Sequence, residues 1–261
     1  MSVIVLGSDI VHYEVLGRGR PLLFLHGWVG SWRYWIPSMQ AASISYRTYA
    51  LDLWGFGDTT KSKRYLLAEQ AELLNGFMDS MGILRIALIG HGLGALVAIQ
   101  FAMQHPELVD RVMAISCPLD DGMISSRLKT ATPVDIASSL LTKSAITDPV
   151  LMETPKADQL AIQNSIKDYA GSRLPELLKS FPTSCLFVHG QNDPIISLPR
   201  ADQLAEFPLQ THAITFEQSG HFPMLDESAK FNRLVIDFLS LASGESPRDL
   251  QLKDEWKRRV R

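Results

Sequence analysis

The chain has 261 residues, of which 46 % are hydrophobic and 20 % are charged. This length is enough to bury a large core, in one domain with an insertion or in two domains, and the composition excludes a chain that is disordered throughout. The formal net charge of −3 provides no basic excess to neutralise phosphates, so we predict that the protein does not bind nucleic acid.

The N-terminus and the cysteines both favour a reducing compartment. The first residues, MSVIVLGSDIV, contain an apolar stretch without a preceding basic residue, and Asp9 follows soon, so they lack the pattern of a secretory signal. The two cysteines, Cys117 and Cys185, have neither a CxxC spacing nor histidines beside them. The predicted strands place them at opposite ends of neighbouring strands, which indicates unpaired core residues rather than a disulfide. We therefore expect a cytoplasmic protein.

Runs typical of β-strands recur along the chain, and helical patterns with apolar residues at three- and four-residue spacing separate most of them. This alternation predicts a mostly parallel eight-stranded sheet with helices on both faces. The first two strands have no helix between them and should form an antiparallel edge hairpin. The predicted strands are Ser2–Leu6, Ile10–Leu16, Leu22–Leu25, Tyr46–Leu51, Arg85–Ile89, Arg111–Ser116, Cys185–Val188 and His212–Phe216. The predicted helices are Ser31–Ala41, Tyr65–Met81, Leu93–His105, Pro199–Glu206 and Glu227–Leu241.

One apolar stretch, residues 86–103, is long enough to resemble a membrane span. However, three glycines and His91 lie towards its middle, and a buried strand followed by a tightly packed helix has the same composition. We therefore predict a strand and a helix in an α/β core, and no association with a membrane.

The strand–helix alternation is interrupted between residues 118 and 182. This part has no convincing strand, and its short helical patterns at Pro133–Leu141 and Ala157–Ala170 are divided by prolines. We predict a small helical cap inserted after the sixth strand. Residues 1–117 and 183–241 would then form the core, and residues 118–182 the cap.

The C-terminal residues 242–261 form a charged tail. It is mostly polar and has four basic residues among its last five. Such a tail is typical of a solvated terminal helix or a frayed end. Docking on an anionic surface or on another subunit is the alternative interpretation.

Five motifs follow predicted strands, in the region where ligands bind in open parallel sheets. In chain order they supply a candidate oxyanion loop, a tight turn, a nucleophile turn, an acid and a histidine. They are Leu25-His26-Gly27-Trp28, Asp52-Leu53-Trp54-Gly55-Phe56-Gly57, Gly90-His91-Gly92-Leu93-Gly94, Gly190-Gln191-Asn192-Asp193 and Ser219-Gly220-His221-Phe222-Pro223.

This set of motifs resembles the α/β-hydrolase family over roughly residues 1–241, with the elbow, the acid and the histidine in the family's chain order. The resemblance implies an α/β-hydrolase fold in which His221 is the general base and Asp193 orients it. It also implies that the backbone N–H groups of Trp28 and Leu93 form the oxyanion hole. These roles suit the residue types, because histidine titrates near neutral pH and backbone donors at an elbow point at a developing oxyanion.

The sequence departs from the family pattern at the centre of the elbow, where Gly92 has no side chain to act as a nucleophile. In a serine protease, loss of the serine costs about 10⁶ in turnover and leaves about 10³–10⁴ over water. The elbow residue usually has a strained backbone, at about 1–3 kcal/mol, and glycine adopts positive φ without that strain. We therefore expect a relaxed, less reactive elbow, with space at position 92 for a water or a substrate atom.

Three accounts of Gly92 remain open. In the first, the protein is an enzyme in which His221 and Asp193 activate water or a substrate proton directly; the resemblance includes family members with a small residue at this position. In the second, an engineered Ser-to-Gly change has inactivated a serine esterase. In the third, the fold has lost catalysis and binds a ligand or a protein. The presence of both His221 and Asp193 favours the first account, although such a pair can also simply tie two loops together.

Several side chains near the motifs are candidates for the pocket, namely His26, Trp54 and Phe222. Their aromatic surfaces favour a small apolar or aromatic acyl compound. His91, next to the elbow centre, is expected to be a packed neighbour rather than a base. Asp52 is expected to hydrogen-bond its own turn.

Cofactor and metal signals are missing from the sequence. The glycines at 90–95 do not have the spacing of a dinucleotide loop, and no lysine follows them as in a phosphate loop. The histidines show no metal-ligand spacing. Asp120 is expected to lie at the hinge of the cap segment or to cap a helix N-terminus. We therefore expect an enzyme without a cofactor or a metal that acts on a small carbonyl compound such as an ester, a lactone or an amide. The pattern is also compatible with a homo-oligomer.

Overall fold

The computed structural model describes residues 2–242 and 245–250. Within these residues the chain forms eight strands, and all eight predicted strands are confirmed with ends that differ by no more than two residues. The strands are β1 (Ser2–Leu6), β2 (Asp9–Leu16), β3 (Arg20–Leu25), β4 (Tyr46–Leu51), β5 (Ile86–His91), β6 (Val109–Ile115), β7 (Ser184–Gly190) and β8 (Thr211–Phe216).

The strands form one sheet in the order β1-β2-β4-β3-β5-β6-β7-β8. The predicted edge hairpin is confirmed, because β1 pairs antiparallel with β2, and β2 also pairs antiparallel with β4. All pairs from β4 to β8 are parallel. The chain continues in opposite directions from β3 and from β5, so the sheet has its switch point between these two strands. This is the position where open α/β sheets bind ligands.

Helices cover both faces of the sheet. The predicted helix at Ser31–Ala41 is instead a 3₁₀ turn (Trp32–Trp35) followed by an α-helix, because Pro37 lacks an N–H donor and therefore favours a new helix start. The helices of the core are α1 (Ile36–Ala42), α2 (Leu67–Met81), α3 (Leu93–Gln104), α9 (Ala201–Ala205), α10 (Pro223–Asp226) and α11 (Ser228–Ser240). The segment between β6 and β7 supplies α4 (Ser126–Thr130), α5 (Pro133–Leu140), α6 (Asp148–Glu153), α7 (Gln159–Ala170) and α8 (Leu174–Leu177).

The segment 118–182 is held to the rest of the chain by polar contacts. The backbone N–H of Asp158 donates to the Gly55 carbonyl at 2.8 Å, and the Tyr65 hydroxyl donates to Asp158 Oδ2 at 2.7 Å. The indole N–H of Trp28 donates to Ser165 Oγ of α7 at 3.1 Å. The last contact joins α7 to the loop that follows β3.

The apolar stretch 86–103 divides into β5 and most of α3, as predicted. No helix in residues 2–242 or 245–250 is both long and apolar enough to cross a bilayer. The two cysteines are buried and unpaired, in agreement with the prediction. Of the C-terminal tail, residues 245–250 lie against β8, where Arg248 donates to the carbonyls of Phe207, Pro208 and Thr211. Residues 251–261, which include the basic end, lie outside the described residues.

Candidate active site

The elbow is built by a buried strand that turns sharply into a helix. At the end of β5, Gly92 has φ +50° and ψ −111°, and α3 begins at the next residue. This positive φ is the conformation that the glycine was expected to adopt without strain. Gly94 lets the helix approach the sheet closely, since a Cβ added there would lie 2.5 Å from the Leu25 carbonyl oxygen.

The loop after β3 lies beside this elbow because β3 and β5 are neighbours, with Leu25 paired to Gly90. The N–H of Gly94 donates to the His26 carbonyl at 3.0 Å, and the N–H of Gly92 donates to the Ile115 carbonyl at 2.8 Å. The N–H groups of Trp28 and Leu93 donate to no acceptor within the described residues. Two unpaired donors of this kind, one on each side of the switch point, are what an oxyanion hole requires.

The space expected at position 92 is partly filled, which corrects the sequence-based expectation. A Cβ added to Gly92 would lie 3.1 Å and 3.2 Å from the Cε3 and Cζ3 atoms of Trp28. The indole of Trp28 is fully buried, and its N–H bond to Ser165 holds it in this position. The side chain of Trp28 therefore covers one side of the elbow, an arrangement that backbone roles alone did not suggest.

The candidate acid and base meet at the ends of the adjacent strands β7 and β8. His221 Nδ1 lies 2.8 Å from Asp193 Oδ2, and both side chains are buried. Since an ionised carboxylate only accepts hydrogen bonds, Nδ1 carries the proton, and Nε2 of a neutral His221 is left with a free lone pair. The other oxygen of Asp193 accepts the N–H groups of Ile195 and Ile196 at 2.8 Å and 3.0 Å.

These contacts set the charge of Asp193. Burial raises the pKa of its carboxyl, but the neighbouring His221 and the two backbone donors outweigh burial and lower the pKa to about 2. Asp193 is therefore ionised across the neutral range. A carboxylate in this state holds the imidazole in one tautomer and stabilises an imidazolium.

The lowered pKa of Asp193 predicts an acid-dependent loss of stability. Its stabilising effect is complete above the ordinary carboxyl pKa of 3.8 and is lost as pH falls through the folded-state pKa of about 2. We expect the free energy of unfolding of the parent to exceed that of Asp193→Asn at pH 5, and this difference to shrink by about 2 kcal/mol towards pH 2. Urea unfolding of both proteins between pH 5 and pH 2 measures it, and a constant difference would contradict the assignment.

The three candidate pocket residues have different surroundings. Phe222 is in ring contact with His221, with centroids 5.2 Å apart. His26 is fully buried and uses both ring nitrogens on backbone, since Nδ1 donates to the Gly27 carbonyl and Nε2 accepts the N–H of Leu53. The expectation that His26 lines the pocket is therefore wrong, because it has no ring nitrogen left for a substrate. Trp54 packs under the guanidinium of Arg64, 5.6 Å from its ring centroid.

Asp52 holds its turn, as expected, and it also joins two other segments. Its carboxylate accepts the N–H groups of Trp32 and Asp58 and lies 2.9 Å from His12 Nδ1. Ligand atoms of His12, Asp52 and Asp58 lie within 4.8 Å of one another, close enough to hold a metal ion, a grouping that the sequence did not reveal. These hydrogen bonds already use both oxygens of Asp52, so the cluster is accounted for by the folding of the turn. Asp120 caps the 3₁₀ turn Asp121–Met123, as predicted.

The sequence also missed Tyr34 and Ser165, which contact the candidate site from distant positions in the chain. Ser165 bonds the indole of Trp28. The hydroxyl of Tyr34 bonds both the loop after β3 and His91. Neither residue lies in a recognisable motif, and only the fold brings them to the site.

Comparison with known proteins shows the family of this fold. A family model described as the alpha/beta hydrolase family matches residues 22–234. The chain belongs to the alpha/beta hydrolase family. Both halves of the site lie within the matched region, which runs from β3 to α11.

Relatives of this alpha/beta hydrolase cover most of its length at low identity. A 2-hydroxymuconate semialdehyde hydrolase of Pseudomonas sp. (strain CF600) is 25 % identical over 253 residues, which are 87 % of this chain and 89 % of the relative. The solved structure of the enol-lactonase from Burkholderia xenovorans LB400 has a TM-score of 0.77 at 18 % identity and covers 92 % of this chain and 100 % of that one. A hydrolase from Pseudomonas aeruginosa PA01 has a TM-score of 0.80 at 16 % identity and covers 92 % and 98 %. The solved structures show the shared fold.

Proposed function

We propose that the protein hydrolyses a small carbonyl compound by general base catalysis, without a covalent acyl-enzyme. One observation carries this proposal. A His221–Asp193 pair with a free Nε2 lone pair occurs together with two unpaired backbone donors at an elbow that has no nucleophilic side chain. The two N–H groups would donate hydrogen bonds to a developing oxyanion, and His221 would take a proton from a water molecule.

The proposed reaction proceeds in two steps. His221 Nε2 takes a proton from water as the water oxygen attacks the carbonyl carbon, and the N–H groups of Trp28 and Leu93 donate to the resulting oxyanion. The tetrahedral intermediate then collapses, and Nε2 returns the proton to the leaving group. Asp193 stays ionised throughout and keeps its hydrogen bond with Nδ1.

The names of the relatives support a small substrate. His221 is 4 % exposed, and Trp28 and Leu93 are fully buried, so the proposed site is shielded from solvent. Relatives named as a 2-hydroxymuconate semialdehyde hydrolase and an enol-lactonase act on small carbonyl compounds according to their names. We propose the same substrate class here, with esters and lactones as the first compounds to test.

Hydrolysis of p-nitrophenyl acetate and of a small lactone panel tests this function. We expect release of p-nitrophenolate above the buffer rate, without a pre-steady-state burst, and an unchanged intact protein mass during turnover. The mechanism requires both features because the attacking oxygen comes from water. An acyl adduct in the mass spectrum would contradict the proposal.

A binding role without turnover is the second candidate. It is favoured by Trp28, whose indole packs against Gly92 on the side where a side chain would project. Saturable ligand binding with no product after several hours would support this role over hydrolysis.

A further inference from the structure

A continuous chain of buried hydrogen bonds joins the two halves of the candidate site. The N–H of Gly27 donates to the Tyr34 hydroxyl at 2.7 Å, and that hydroxyl lies 2.9 Å from His91 Nδ1. His91 Nε2 lies 2.8 Å from the carbonyl oxygen of His221. We infer that Tyr34 and His91 form a positioning relay that sets the oxyanion loop relative to the general base, an inference that rests on the proposed function.

The partners determine the direction of each bond in the relay. A carbonyl oxygen only accepts, so His91 Nε2 carries the proton that is donated to His221. In a neutral imidazole the other nitrogen then accepts, and Tyr34 donates its hydroxyl proton to Nδ1 while it accepts the N–H of Gly27. Burial supports these neutral forms, because it lowers the pKa of His91 well below its ordinary value and raises the pKa of Tyr34 well above its ordinary value.

Packing around the relay leaves little freedom. The Tyr34 and His91 rings meet edge to face with centroids 5.7 Å apart, and the His91 and His221 rings lie 4.6 Å apart. Phe222 touches all three rings. A Cβ added to Gly27 would lie 2.8 Å from His91 Nδ1, so the loop passes directly over the relay.

The relay fixes which backbone groups are free for a substrate. The N–H of Gly27 is used by Tyr34, whereas the next N–H, that of Trp28, has no acceptor within the described residues. If the Tyr34 hydroxyl is removed, the Gly27 peptide loses its acceptor and His91 loses its donor. His91 Nε2 and Ser116 Oγ still donate to the His221 carbonyl, so the base loop stays attached while the His91 ring loses the hydroxyl that fixes its other nitrogen. The expected consequence is a misplaced donor and a misplaced base in an otherwise folded protein.

Tyr34→Phe measures the kinetic effect of the relay. Displacement of reacting groups by about 1 Å costs about 10²-fold in rate, so we expect a fall of roughly 10–100-fold in kcat with KM changed by less than about twofold. Tyr46→Phe is the matched control, because Tyr46 is also buried and donates one hydrogen bond, to the Leu239 carbonyl. It should leave kcat unchanged. Equal losses in both variants, or a change in KM alone, would overturn the relay.

A spectroscopic measurement keeps the inference testable if no substrate turns over. Nitrogen-15 spectra of the parent should show His91 with a proton on Nε2 and none on Nδ1, with assignment from His91→Asn. Tyr34→Phe should move the Nδ1 resonance of His91 and leave the resonances of His212, which lies in the edge strand β8, in place. A proton on Nδ1 in the parent would overturn the relay. The correct tautomer with no turnover would instead count against the proposed function alone.

Discussion

Gly92→Ser is expected to raise the rate of p-nitrophenyl acetate hydrolysis by roughly 10²–10⁴-fold and to produce an acyl-enzyme burst. The reason is that serine nucleophiles account for about 10⁶ in turnover where they have been removed, whereas the other parts of the site retain about 10³–10⁴ over water. Here the acid, the histidine and the two backbone donors are already in place. The hydroxyl would add the missing group at the centre of the elbow.

Two structural costs keep the expected rate gain below the factor of about 10⁶ that a serine nucleophile can contribute. A serine at φ +50° is strained by about 1–3 kcal/mol. Its Cβ also requires Trp28 to move by a few tenths of an ångström. Gly92→Ala is the matched control, because it brings the same strain and the same contact without a hydroxyl.

The outcome separates the accounts of Gly92. A burst in Gly92→Ser that is absent in Gly92→Ala would show that the rest of the serine-hydrolase machinery is intact. No gain, with both variants folded and equally stable, would mean that the site does not support acyl transfer from that ester. The remaining accounts would then be general base catalysis by His221 and Asp193 on another substrate, or ligand binding without catalysis.

His221→Ala is expected to lower kcat by about 10²–10⁴-fold, the range that general acid–base groups contribute. In the proposed reaction the imidazole supplies the proton acceptor in the first step and the donor in the second. The neighbouring Asp193 is a poor replacement, because a carboxylate with an ordinary pKa of 3.8 is a weaker base than an imidazole and this one also accepts the N–H groups of Ile195 and Ile196. Steady-state rates on each substrate that the parent hydrolyses measure the effect.

His105→Ala is the control for this replacement. His105 lies at the end of α3 with its side chain 38 % exposed, so its loss should leave kcat unchanged. If His221→Ala leaves the turnover of every responsive substrate unchanged, the proposed role in proton transfer is wrong.

Some parts of the site followed directly from local sequence. The strand runs, the glycines of the elbow and the chain order of Asp193 and His221 are local patterns, because side-chain alternation and turn chemistry depend on near neighbours in the chain. The positive φ of Gly92 was predictable for the same reason. The pairing of Asp193 with His221 was an expectation from the resemblance to the family, and the adjacent strands β7 and β8 bring the two side chains together.

The errors concern side chains whose partners are distant in the chain. His26 looked like a pocket residue because it sits in a motif, but its ring bonds Leu53 after β4. The space at position 92 looked open because glycine has no side chain, but the indole of Trp28 lies against it. Sequence periodicity carries no information on such contacts.

The sequence by itself determined the fold class, the order of the strands along the chain and the residue types available for chemistry, since these depend on local patterns of hydrophobicity and turn residues. Only the tertiary structure decided which groups are free to act. Each buried polar atom needs a partner, and the folded chain supplies Leu53 for His26, Tyr34 for Gly27 and His91, and Ser165 for Trp28. It leaves the N–H groups of Trp28 and Leu93 and the Nε2 lone pair of His221 without a partner among the described residues.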